Sequence, residues 1–273
     1  MSDALFPLIR AVEQAHSAPQ LIQAVRALAA TGQVGSIPTL MAVLSYNNPG
    51  AAVAAVDGLI QIGEPAVPAL LEQLDQHNYT ARSWAIRALA GIGDPRGLVT
   101  LLGAATADFS MSVRRAAARG LGTMRWHWFP ADLLEIAQEE ALEALLFVAQ
   151  QDEEWVVRYA AIVGLETLAP AIGPTAPHGR SQIEAQLAQM TDRDTSWAVR
   201  ARACLAYQQL QAGMISPLAV PATTPSPLSA TDWQQILETL YARKEQERSV
   251  LEEGDPRRYR ELAIAVSQSQ PSA

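Results

Sequence analysis

One pattern returns at nearly regular intervals along this chain and limits what the chain can fold into. A polar turn residue is followed by a short turn and then by Arg-x-x-Ala-x-x-x-Leu, as in Asn78, Arg82, Ala85 and Leu89. The arginine recurs at matching positions: Arg82, Arg114, Arg158 and Arg200. An earlier unit, 30 residues before the one at Arg82, keeps the spacing with Ala52 in the arginine position. Self-similarity at this period indicates a helical repeat array.

Each unit has the pattern of two helices. An apolar stretch such as residues 67–74, with Pro68 in its first turn, is followed by a polar turn and by the Arg-x-x-Ala helix, which ends near a glycine. A single hairpin cannot bury its apolar face, so neighbouring hairpins have to stack. Aromatic residues make up only 6% of the chain, which favours closely packed helices over strands. We therefore expect an all-α fold, an α-solenoid of HEAT-like hairpins followed by an extended linker and a C-terminal helix.

The repeats and a change of composition divide the chain into three parts. Residues 1–213 are expected to form the HEAT-like array, and residues 214–230, rich in Pro, Thr and Ser, an extended linker. Residues 231–273 are expected to form an amphipathic helix and a tail, with Thr231 and Asp232 capping the helix. This helix either folds back on the array or docks on a partner.

Several classes of function are disfavoured. A net charge of −8 argues against nucleic-acid binding. The chain has one cysteine, Cys204, and four scattered histidines, so no metal site is expected. No P-loop or nucleophile constellation is present, and no catalytic residue can be named. The N-terminal residues lack the features of a signal peptide, and no apolar run of about 18 residues is evident. A cytoplasmic protein without a membrane span is expected.

The repeated arginines and their neighbours have different expected roles. Arg82, Arg114, Arg158 and Arg200 are expected to bridge adjacent units, as the repeated Asp and Arg do in HEAT-type arrays. The second helices of such arrays line a concave surface, and aligning the units puts Arg87 beside Arg119. Together with nearby side chains these form a candidate site for a flat, conjugated ligand bearing carboxylates: Trp84, Arg87, Asp108, Arg115, Arg119 and Trp126. The alternative is that they are solvated side chains and rim aromatics.

Two stretches resemble a known family. Residues 112–117, Ser-Val-Arg-Arg-Ala-Ala, and the tail at residues 252–259, Glu-Glu-Gly-Asp-Pro-Arg-Arg-Tyr, are similar to the alpha subunit of the phycocyanobilin lyases of cyanobacteria, the CpcE type. Similarity also covers residues 78–97 and 233–241, so it extends over most of the chain.

The resemblance implies a lyase that is active only as a heterodimer with a smaller HEAT-repeat beta subunit of the CpcF type. The pair would carry phycocyanobilin, an open-chain tetrapyrrole, as transferred substrate rather than as a permanent cofactor. It would attach the bilin to a cysteine of the phycocyanin alpha subunit by adding the thiol to the bilin's ethylidene group. Because the nucleophile belongs to the acceptor, the lyase acts by positioning.

Within that reading the candidate residues take distinct roles. Arg87, Arg115 and Arg119 would pair with the two propionates, Asp108 would accept from the pyrrole nitrogens, and Trp84 and Trp126 would stack. The alternative function is a non-catalytic HEAT-repeat adaptor or chaperone that binds phycobiliproteins. Whether the lyase is of the isomerising subtype stays open.

Overall fold

The computed structural model describes residues 5–74, 78–172, 177–213 and 226–250. These residues contain helices and turns and no strand, which confirms the all-α prediction. They divide into two compact units, Met1–Pro227 and Leu228–Ala273, and each is described by itself. The predicted division at residues 213 and 230 stays a prediction, because most of the linker and the tail from residue 251 onward lie outside the described residues.

The described part of the first unit contains six helical hairpins. They pair α1 (Leu5–Glu13) with α2 (Ala18–Ala29), α3 (Ile37–Val43) with α4 (Pro49–Ile62), α5 (Val67–Leu74) with α6 (Tyr79–Ile92), α7 (Leu98–Ala107) with α8 (Met111–Gly122), α9 (Ala131–Gln151) with α10 (Trp155–Ile172), and α11 (Pro177–Arg193) with α12 (Trp197–Gln211). The second helix of each hairpin packs on the second helix of the next. This stacking confirms the HEAT-like array.

The repeated alanine and leucine of the pattern form the core of the array. Ala55, Ala85 and Ala117 are completely buried, and so are Leu59 and Leu121 at the position one turn further on. Burying one leucine side chain stabilises a fold by about 1.5–3 kcal/mol. The pattern therefore recurs because every unit has to fill the same interior positions between its neighbours.

Glycines let the second helices approach each other closely. A methyl group added at Gly120 of α8 would come within 2.5 Å of the Ala90 Cβ atom on α6. A methyl group at Gly122 would overlap the backbone of Gly164 on α10. The small residues of the repeat thus set the spacing between the second helices of successive hairpins.

Arginine–aspartate clamps join successive units, as the sequence predicted. Arg82 pairs with Asp108 at 2.5 Å, and Arg114 pairs with Asp152 at 2.7 Å. The side-chain hydrogen bond with Asp152 raises the pKa of Arg114 above its ordinary value. In the same clamp Arg114 Nη1 donates to the backbone carbonyl of Asp108, 2.9 Å away, and so also ties down the turn of its own hairpin.

The last two repeat arginines differ. Arg158 pairs with Asp194 at 2.7 Å, which makes the third clamp. Arg200 lies in the last hairpin of the described array; its Nε donates to the carbonyl of Thr191, and its guanidinium lies 4.5 Å from the ring centre of Trp197. The bridging role is therefore confirmed for three arginines, whereas Arg200 closes its own hairpin.

Helix α10 is the most apolar long helix among the described residues. It is 18 residues long with a mean hydropathy of 1.3, enough by length and composition to cross a membrane, and it departs from the expectation that no such run exists. Half of it is buried, and it packs against α8, α9 and α12. These are the properties of a core helix.

The second unit contains one described helix, α13 (Ala230–Val250). Its start is fixed by Ser229 and Asp232: the Ser229 backbone N–H and hydroxyl donate to Asp232 Oδ2 at 2.8 and 2.7 Å. The predicted cap therefore uses Asp232 with Ser229 rather than with Thr231.

Candidate functional site

The second helices line a groove along one face of the array. Its lining comes from α4, α6, α8, α10 and α12, and its volume is about 860 Å³. Small-molecule sites in proteins typically measure about 300–1,000 Å³. We call this surface the groove. It is large enough for an extended ligand of four linked rings.

Three arginines that the sequence singled out come together in the groove. Arg87 on α6 and Arg115 and Arg119 on α8 line it, and all three are exposed. Neighbouring helix axes lie about 8–10 Å apart, and residues four apart on one helix have Cβ atoms about 5–6 Å apart. The three guanidinium groups can therefore reach two carboxylates on one ligand.

These arginines are not used to hold the fold together. Among the described residues none of the three has an acidic partner within 4.0 Å. Like charges four residues apart on a helix, such as Arg115 and Arg119, cost a few tenths of a kcal/mol. The whole chain carries a net charge of −8, so the groove concentrates positive charge against the general trend. This arrangement favours an anionic ligand.

Aromatic rings flank the arginines. Trp84 on α6 lines the groove, and the Arg87 guanidinium lies 5.5 Å from the centre of its ring. Trp155 and Tyr159 on α10 line the opposite end of the groove and are 47% and 37% exposed. Flat rings of this kind can stack on a conjugated ligand.

Three lining residues were missed by reasoning from sequence alone. Tyr159 occupies the repeat position of Arg115, 44 residues earlier, so the register of the repeat pointed to it. Trp155 is the first residue of α10, and the longer spacing between these units made its place in the repeat harder to recognise. Asp57 on α4 shares the position of Arg87, and it is the single carboxylate among the described residues that line the groove.

Asp108, which the sequence suggested for the ligand's N–H groups, lies outside the groove. It follows α7, its side chain is fully buried, and it accepts from Arg82 Nη1 at 2.5 Å. Its other oxygen accepts from the backbone N–H of Ser110 at 2.8 Å. The carboxylate is committed to the clamp between two units, and we leave it out of the site.

Trp126 also lies outside the groove. It sits in a short 3-10 turn between α8 and α9, is 7% exposed, and packs against Phe129 with ring centres 5.3 Å apart. Its ring is part of a small aromatic cluster in that connection. Of the six candidates the structure thus brings four together: Trp84, Arg87, Arg115 and Arg119.

The groove lining offers little for covalent chemistry. No cysteine or histidine is among its described residues. No group of three or more His, Cys, Asp or Glu side chains suited to a metal ion occurs in the part of the chain that the structure describes. The groove can bind and orient a ligand by ion pairs, hydrogen bonds and stacking.

Comparisons with known proteins agree on the kind of relative. A family model for HEAT repeats matches residues 67–166. A phycocyanobilin lyase subunit beta from Pseudanabaena tenuis is 58% identical over 98% of this chain and 99% of its own length. A phycobilisome maturation protein from Synechococcus elongatus is 53% identical over 76% of this chain and 98% of its own length.

A solved structure is similar as well. In the complex of CpcE and CpcF of phycocyanin lyase from Nostoc, one chain is 50% identical, covers 64% of this chain and 99% of its own length, and has a TM-score of 0.58.

These matches correct the resemblance inferred from the sequence. Similar proteins carry the name of beta subunits, so the assignment to the alpha, CpcE-type subunits is wrong. The repeat motif at residues 112–117 misled because Val113 and Ala117 are buried in the core and Arg114 clamps adjacent units. Any array of this architecture needs those residues, so the motif cannot separate one subunit from the other.

Proposed function

Because this chain belongs to the family of phycocyanobilin lyase beta subunits, the CpcF type, we propose that it acts with a CpcE-type alpha subunit to attach phycocyanobilin to the phycocyanin alpha subunit. The observation that carries the proposal is the 58% identity to a lyase beta subunit over 98% of the chain. The chain is one subunit of a phycocyanobilin lyase, an enzyme that works as a complex of two different HEAT-repeat subunits.

The partner inferred from the sequence is corrected at the same time. A smaller beta subunit was expected, but the chain is itself of the beta type, so its partner is an alpha subunit. The solved complex that contains a similar chain pairs CpcE with CpcF, which supports this pairing. A cytoplasmic location remains part of the proposal, and cell fractionation tests it.

The groove supplies the functions that such a reaction requires. In the addition, the acceptor's cysteine thiol gives up its proton and its sulfur forms a bond to the exocyclic carbon of the ethylidene group. The electrons of the double bond move into the ring system, and a ring carbon takes up a proton, so that the thiol has added across the double bond. Nothing leaves, and the lyase needs no nucleophile of its own. Holding the bilin in one geometry lowers the barrier, since reactants in fixed orientation no longer lose that freedom in the transition state.

We assign the bilin's carboxylates to the arginines of the groove. An open-chain tetrapyrrole carries two propionates on adjacent central rings, and Arg87, Arg115 and Arg119 offer guanidinium groups on two neighbouring helices of the groove. Trp84 on one side and Trp155 with Tyr159 on the other provide faces against which the conjugated rings stack. The neighbouring cations repel each other less when the propionates neutralise them.

Reconstitution of the transfer reaction tests this function. The alpha subunit, apo-phycocyanin alpha subunit and phycocyanobilin are combined with or without this chain, and covalently coloured acceptor is measured on a denaturing gel. The proposal expects the coloured product to depend on the chain. If the product forms equally well without it, the chain is not a lyase subunit. The alternative, a non-catalytic adaptor, expects that result together with binding of the chain to phycobiliproteins.

A further inference from the structure

One residue of the groove differs in charge from those around it. Asp57 lies on α4 and is exposed, and it is the single carboxylate among the described residues that line the groove. Its neighbours on the lining of α4 are the apolar Val56 and Ile60. An acid at this place is not required by the packing of α4, whose buried positions are filled by alanine, valine, glycine and leucine.

Asp57 stands in register with the arginines. It precedes Arg87 by 30 residues and Arg119 by 62, which is the spacing that separates the buried Ala55 from Ala85 and Ala117. Because α4 packs on α6 and α6 packs on α8, the three side chains occupy the same position on three successive helices. Neighbouring positions along this row are about 8–10 Å apart. The row therefore passes from one carboxylate to two guanidinium groups along the length of the groove.

The carboxylate is not engaged in the fold. The acids that join one unit to the next, such as Asp108 and Asp152, lie in the turns of the hairpins, whereas Asp57 lies on a helix. Within the described ranges no arginine, lysine or histidine nitrogen comes within 4.0 Å of it. Its carboxylate is a hydrogen-bond acceptor on the lining of the groove, and it does not join one unit to the next.

A tetrapyrrole has two kinds of polar edge that such a row can distinguish. The propionates are anionic and seek guanidinium groups, whereas the pyrrole nitrogens are N–H donors and become more so when the conjugated system takes up a proton. A carboxylate beside the nitrogens stabilises the protonated form, because a hydrogen bond to a charged group is worth more than one between neutral groups.

We propose that Asp57 is the groove's acceptor for the pyrrole N–H groups of the bilin and so fixes which way the tetrapyrrole lies. Resting on the proposed lyase function, this places the N–H edge of the bilin toward α4 and its propionates toward α6 and α8. Asp57 therefore takes the role that the sequence suggested for Asp108, which is to accept hydrogen bonds from the pyrrole nitrogens. Protonation of the ring system also makes the ethylidene carbon a better acceptor of a thiol, so the same contact speeds transfer.

The test uses the complex of this chain with its alpha subunit, loaded with free phycocyanobilin. Asp57→Asn keeps the shape and removes the charge, and Asp57→Glu keeps the charge. With Asn, the red absorption band of the bound bilin is expected to weaken and move to shorter wavelength, and transfer to apo-phycocyanin is expected to fall at least about tenfold. Glu is expected to retain the red band. Glu135→Gln, an exposed acid on α9 away from the groove, is the matched control and is expected to change neither.

The outcomes separate this inference from the proposed function. A wild-type spectrum and rate in Asp57→Asn overturns the role of Asp57, and so does a red band lost equally in Asn and Glu. In either case the function stands if transfer still depends on the chain and on Arg87 with Arg119. Far-UV circular dichroism and gel filtration check that each complex is intact, which is expected because Asp57 is exposed and outside every clamp.

Discussion

Arg158 is the side chain whose removal should weaken the array most clearly. Its Nε and Nη2 atoms donate to the two carboxylate oxygens of Asp194 at 2.7 and 2.9 Å. Its Nη1 atom donates to the backbone carbonyls of Asp152 and Glu153 at 2.9 and 3.0 Å. One guanidinium thus joins the turn of its own hairpin to the turn of the last described hairpin of the array.

The expected loss follows from the burial of this pair. The side chains of Arg158 and Asp194 are only 11% and 6% exposed. Arg158→Met keeps the apolar stem but leaves the Asp194 carboxylate buried with one backbone N–H for a partner. Removing one member of a buried ion pair typically costs about 3–5 kcal/mol. We expect Arg158→Met to lower the free energy of unfolding by an amount in that range, and the weakened contact is the one between hairpin α9–α10 and hairpin α11–α12.

Urea denaturation followed by circular dichroism measures this loss. Because each unit of a repeat array depends on its neighbours, weakening the last junction should unfold α11 and α12 at lower urea than the rest. The variant Arg193→Met, an exposed arginine at the end of α11 without an ion pair among the described residues, is the control and should change stability by less than about 0.5 kcal/mol. The double variant Arg158→Met with Asp194→Asn should lose less free energy of unfolding than the sum of the losses in the two single variants. A loss below about 1 kcal/mol in Arg158→Met would refute the reasoning.

Two further predictions concern the array. Burial raises the pKa of Asp194, but the hydrogen bond from Arg158, a backbone N–H and the charge of Arg158 together bring it below the ordinary value of 3.8. The stability that this lowered pKa contributes is therefore present above about pH 4 and is lost as the pH falls through the folded-state pKa. Urea midpoints measured between neutral and acid pH should show this loss of stability, and Asp194→Asn should abolish the pH dependence. Gly122→Val should destabilise by about 1–3 kcal/mol or more, because its side chain would overlap the backbone of Gly164. Gly103→Ala on α7, with open space around it, should instead stabilise by up to about 1 kcal/mol, and thermal melts of both variants check this pair. A Gly122→Val protein as stable as wild type would contradict the close packing of α8 on α10.

The fold was predictable because its repeat is dictated by packing. Positions such as Ala85 and Leu89 have to be small or apolar in the units that pack between two neighbours, and Arg114 and Arg158 have to reach an acid in the next unit. Those demands leave a periodic trace in the sequence. Arg87 and Arg119 were found for the same reason, since the register of the core fixes which neighbouring residues face the groove.

The remaining errors have physical causes. Asp108 precedes a second helix and looked available for a ligand, but its partner Arg82 lies 26 residues earlier and only the fold brings the two together. Trp126 belongs to an insert that interrupts the repeat, so no register could place it. Asp57 lies in a unit that has Ala52 where the others have arginine, so the repeat pattern is weakest at that helix.

The affinity of the complex for free phycocyanobilin tests most directly whether the groove is the bilin site. The complex of this chain with its alpha subunit is titrated with bilin, and binding is followed by visible absorption. The test variant combines Arg87→Ala and Arg119→Ala. The control is Arg26→Ala, at an exposed arginine of α2 outside the groove. Loss of charged hydrogen bonds to the propionates should raise the dissociation constant at least about tenfold in the double variant and leave the control unchanged. Equal affinity in the double variant and the wild type would contradict the groove as the site.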